Sequence, residues 1–251
     1  MKLDSTSTIQ GNLISEGDLT FQSTARIGGS IYLVGSLISS DGKSTDYLTS
    51  HGQIGGTVGE GVLLPTAAHP STADAVDSAS QWPGMTVTSW ARWMNDTAGA
   101  NSAPSWSQGL AANPGCTMAS WSVNGTVASL AGDTLIDATG VGCPTVTLQG
   151  MTLRVSGDVT ILADAFSSVN GLTIQSADGL NHTLNIVSPG PRSCSSSHTV
   201  SLSASTTSDD RVLLNVDAAG KLTVDGTSSI SGKVAAACLA ASGSVTVGRW
   251  S

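Results

Sequence analysis

Cys116, Cys143, Cys194 and Cys238 are the side chains here whose chemistry is easiest to name. They stand far apart, with no C-x-x-C pair and no histidine at zinc spacing, so the pattern speaks for disulfides and against a metal site. Four cysteines allow three connectivities; the sequential one, Cys116–Cys143 with Cys194–Cys238, closes the shortest loops. Disulfides persist in oxidising compartments, which points this chain outside the cell.

Acid–base chemistry has little to build on. The adjacent acidic pair is Asp209-Asp210, followed by Arg211. On a strand its side chains point to opposite faces, so the two carboxylates do not form a dyad by themselves. His51, His69, His182 and His198 are scattered, and Asp41-Gly42, Asp178-Gly179 and Asp225-Gly226 read as turns. There is no G-x-S-x-G, H-E-x-x-H, P-loop, dinucleotide fingerprint or calcium repeat. The expectation is a protein without catalytic residues, metal or cofactor.

Tryptophan is the other conspicuous residue type. Trp82, Trp90, Trp93, Trp106 and Trp121 fall in a stretch that also holds Pro65, Pro70, Pro83, Pro104 and Pro114. Large rings serve as the core of a segment poor in Leu and Ile, the reading favoured for most of them, or as a recognition surface, which one or two could form. Trp90-Ala91-Arg92-Trp93 places a charge between two rings, so Trp90, Arg92 and Trp93, with Trp82 and Trp106, are the candidate binding residues.

The elements that must position these residues are short strands. Ile9-x-Gly11-x-Leu13 with Gly17 and Leu19 recurs as Ile27-x-Gly29-x-Ile31 with Gly35 and Leu37, an offset of 18 residues throughout. Ile54-Gly55-Gly56-Thr57-Val58 is a third, partial copy 27 residues on, which places an insertion within 39–50. The aliphatic positions share one parity, so all face one side of their strands. Eighteen residues suit three short strands and three corners, one triangular turn of a solenoid, with Ile27 over Ile9 and Leu37 over Leu19. From Thr134 to Val247 apolar–polar–apolar triplets continue at irregular spacing, and the gap holding Pro189, Pro191 and Cys194 reads as a protruding loop. The expected fold is all-β: a right-handed parallel β-helix over 1–64 and 131–251, interrupted by an irregular Trp/Pro-rich insert over 65–130. Threonine rows of the kind carried by ice-binding solenoids are not visible, because Thr145-Val146-Thr147 does not recur at a fixed turn length.

Composition closes off other classes. Only 11% of residues are charged and Lys plus Arg number 10, too few for a phosphate-tracking stripe, so no nucleic-acid partner is expected. No apolar run is long enough to span a bilayer.

The I-x-G-x-[LI] copies, and the segment Lys221-Leu222-Thr223-Val224-Asp225-Gly226 leading to Ile230-Ser231-Gly232-Lys233-Val234, resemble the β-helical ectodomains of pilin-like proteins associated with bacterial type IV pili. The N-terminal copies are also similar to the triangular turns of bactofilins. The resemblance covers residues 9–63 and 145–247. It implies a non-enzymatic, extracellular component of a bacterial surface filament, a minor or tip subunit in adhesion or pilus assembly. Its leader or anchor would precede residue 1, and its partners would be other pilus subunits or a surface glycan or protein receptor. The alternatives are a carbohydrate-active β-helix enzyme and a bactofilin-like self-assembling scaffold. An acidic cluster on one flank would favour the first, and exposed aliphatic end turns the second.

Overall fold

The structure is a computed structural model and describes residues 2–3, 7–9, 12–15, 17–22, 24–62, 84–94, 116–119, 127–139 and 142–248. It is all-β, with strand triplets whose alternating apolar residues bury one face, as in Leu13–Ser15 and Leu19–Phe21. The strand pairs among the described residues run parallel.

These pairs assemble into ladders that consecutive strands visit in rotation. The first carries the buried row Met118, Leu148, Ser168, Leu202, Val224, Ala241, Leu3 and Phe21. In the second, Leu153 lies beside Ile174, and Ile9 lies beside Ile27, which bridges to Ile54. Ile136, Ile161, Ile186 and Val216 make the third, while Leu13, Ile31 and Val58 align in a separate three-stranded sheet. Like stacks on like, so each apolar side chain is buried by its equivalents on neighbouring strands. Ser168 interrupts the first row; its hydroxyl lies 3.2 Å from that of buried Thr206, so each satisfies the other.

The 18-residue offset is realised as expected. Ile9 pairs with Ile27, Leu13 with Ile31 and Leu19 with Leu37, in parallel register, with Leu37 half-buried. The longer third offset is taken up by the helix Thr45–Ser50, capped by the Ser44 hydroxyl, which accepts from the Tyr47 N–H at 3.2 Å. Leu48 is 1% exposed, and its carbonyl accepts from the Gln53 and Ile54 N–H groups, tying the helix to the next strand. The repeat glycine Gly35 is required by stacking: a Cβ there would meet Asp18 and the backbone of Gly17 on the adjacent turn.

The order of the stack is not the order of the chain. Lys2–Leu3 pairs on one side with Thr20–Phe21 and on the other with Ala240–Ala241. Thr8–Ile9 likewise lies between Arg26–Ile27 and Thr246–Val247. The first strands of the chain are thus inserted between its last strands and its next ones, and join the two β regions into one ladder system.

Candidate functional site

Both cysteine pairs are joined as the sequential pairing predicts. Cys116–Cys143 and Cys194–Cys238 have Cα–Cα separations of 5.5 Å and 5.2 Å. The second bond pins the 189–199 loop to the strand Val234–Ala241. Arg192 and Asp217, 2.6 Å apart, hold the same loop, as does Gly220, whose N–H donates to the His198 carbonyl at 2.7 Å. The loop expected to protrude is therefore tied against its neighbours.

Several carboxylates are engaged in joining turns. Asp209 accepts from the Ser176 N–H at 2.9 Å and the Arg211 N–H at 3.0 Å. Asp18 accepts from Ser36, Asp133 from Asp158, and Asp158 from Thr183, each at a backbone N–H on a neighbouring turn. Oxygens committed to backbone N–H groups in this way serve as structural acceptors. Asp209 is thus a cap between neighbouring strands.

Among the described residues, the nearest thing to a catalytic constellation is Ser176, Asp178 and His182. The Ser176 hydroxyl donates to the Asp178 carboxylate at 3.1 Å, and the His182 Nε2 lies 2.7 Å from the same oxygen. A nucleophile needs its hydroxyl on the imidazole, whereas here both groups converge on the carboxylate. The His182 bond first, then the N–H of Leu180, lowers the Asp178 pKa to about 2, so this carboxyl is ionised at neutral pH. Arg211 donates to the Gly179 carbonyl and closes the turn. The cluster is a hydrogen-bonded corner. No group of three or more His, Cys, Asp or Glu among the described residues is placed to hold a metal. No helix among them is long and apolar enough to cross a membrane.

Trp90 and Trp93 are at most 4% exposed and pack edge to face, with ring centroids 5.3 Å apart at 62°. They belong to the hydrophobic core cluster, so their ring faces are not offered to a ligand; only Arg92 between them is exposed. These two rings take the core role favoured for most of the tryptophans, because in a segment poor in aliphatic residues the rings are what there is to bury. Trp82 and Trp106 lie outside the described residues.

A surface feature that the sequence concealed lies on the second ladder. Thr152, Thr173, Thr207, Ser229, Thr246 and Thr8 are successive register partners. Their chain neighbours Met151, Leu172, Thr206, Ser228, Val245 and Ser7 are buried, so the row itself points outward. Thr227 and Ser244, two residues earlier on their strands, are exposed register partners and stand beside the row. Among the described residues, none of these hydroxyls has a hydrogen-bond partner. The third ladder differs, for there Thr160, Asn185 and Asn215 bond to one another at 3.0–3.1 Å.

No protein-family model, curated protein or solved structure matches this chain.

Proposed function

We propose that the ladders close into a right-handed parallel β-solenoid, displayed outside a bacterial cell as a non-enzymatic component of a surface filament. In this reading the protein is a minor or tip subunit of pilin type that acts in adhesion or pilus assembly, beside other subunits or a surface receptor. The observation that carries it is the rotation of consecutive short strands through parallel ladders, locked by two disulfides. A disulfide-stapled β-rod suits a protein that must keep its shape outside the cell without a chaperoned environment. Carboxylates committed to backbone N–H groups weigh against the polysaccharide-cleaving alternative. The helix Thr45–Ser50 weighs against the self-polymerising one, because it follows Leu37–Ser39, a strand paired on one side only among the described residues, where a polymer would need an open edge.

The test is fractionation of the native bacterium. Filaments sheared from intact cells should contain the protein, with no thiol reactive before reduction. Recovery in the cytoplasmic fraction with reactive thiols would exclude the filament reading.

A further inference from the structure

We infer that the paired hydroxyl rows on the second ladder are an ice-adsorbing face. The inference rests on strand register and on free hydroxyls, not on where the protein is displayed. Neighbouring strands place members of a row about 4.8 Å apart, and two residues along a strand separate the rows by about 6.6 Å. The result is a two-dimensional grid whose paired rungs are Thr227 with Ser229 and Ser244 with Thr246, with Thr207 continuing the outer row. The outer row continues to Thr173 and Thr152 on one side and to Thr8 on the other.

Three properties select a water lattice as the occupant. First, the grid is fixed by hydrogen-bonded backbone, so binding orders little of the protein, and a periodic ligand gains at every rung. Second, each threonine offers a hydroxyl that both donates and accepts, beside a methyl that restricts the orientation of first-shell water. The hydroxyls have no partner among the described residues, so ordered water is free to take both roles. Third, the row from Thr152 to Thr8 carries no charge, and its run ends at Arg26. A charge within the row would hold water around an ion in an orientation foreign to ice. Stacking on a sugar ring would call for aromatics in the row, and there are none; Trp90 and Trp93 are buried elsewhere.

The experiment uses the full chain with both disulfides formed. Retention on polycrystalline ice and inhibition of ice recrystallisation are measured for the unmodified protein, for Thr207→Tyr and Thr246→Tyr, and for Ser201→Tyr on the first ladder. Thr207→Lys and Thr246→Lys take their place if a tyrosine variant loses its β-sheet circular dichroism. The expected result is that the unmodified protein and Ser201→Tyr are retained and inhibit, while the substitutions at Thr207 and Thr246 lose both properties. Absence of the unmodified protein from ice, or equal retention of all folded variants, would overturn the inference. Adsorption to crystalline chitin or cellulose without retention on ice would overturn it too.

Discussion

Leu3 lies beside Ala241 on an adjacent parallel strand, although almost the whole chain separates them. On its other side Leu3 meets Phe21, and all three side chains are buried. A two-residue strand at the start of the chain therefore closes the gap between the two β regions, where its backbone is paired on both sides. Strand edges left unpaired are sites of aggregation, so the first strand also protects its neighbours.

Leu3→Ala is expected to destabilise the protein by about 2–5 kcal/mol, the range for truncating a buried leucine. Ile14→Ala, at a side chain that is 45% exposed, should stay within about 0.5 kcal/mol. Urea unfolding of the two variants measures the difference; equal midpoints would contradict the placement of Leu3.

Gly17 and Gly35 occupy the same repeat position but should respond differently to alanine. A Cβ on Gly35 would meet Asp18 and the Gly17 backbone, whereas one on Gly17 meets nothing within 4 Å. Gly35→Ala is expected to cost about 1–3 kcal/mol through overpacking, and Gly17→Ala about 0.5 kcal/mol or less. Thermal melts of both variants test the stacking direction.

The disulfides should contribute about 2–4 kcal/mol each by restricting the unfolded chain. Peptide mapping without reduction should return Cys116 linked to Cys143 and Cys194 linked to Cys238, with no free thiol. Replacing Cys194 and Cys238 by serine should also loosen the 189–199 loop, visible as faster proteolysis there than in the unmodified protein. Unchanged proteolysis would show that the Arg192–Asp217 pair and the backbone bonds suffice.

Asp178 sets an acid-side dependence. Its folded pKa of about 2 lies below the ordinary 3.8, chiefly because of the His182 hydrogen bond. A depressed carboxyl contributes stability that is present above its unfolded pKa and lost as pH falls through the folded one. Asp178→Asn should therefore show a flatter melting temperature than the unmodified protein between pH 3.8 and about 2. Parallel profiles would mean that the corner is not held by the ionised carboxylate.

What the sequence disclosed was what local spacing could encode. Ile9 over Ile27 follows from equal turn lengths, and Cys116–Cys143 from proximity along the chain. The row from Thr152 to Thr246 was hidden because its members are 21, 34, 22 and 17 residues apart. Loops of different length leave the register untouched but erase the period. The place of Leu3 was hidden for a related reason: no local pattern marks a partner at the far end of the chain. Trp90 and Trp93 were ambiguous because a ring fit for a binding face is equally fit for a core, and only packing decides.

The insertion of the first strands into the middle of the stack is the claim on which the continuity of both the core and the hydroxyl rows depends. Hydrogen exchange, read peptide by peptide on the unmodified, disulfide-intact protein, tests it most directly. Amides of Leu3 and Ile9, flanked on both sides by paired strands, should be protected to the same degree as those of Leu222–Val224. Exchange of the segment 2–9 at the rate of an open chain, while 222–241 stays protected, would contradict it.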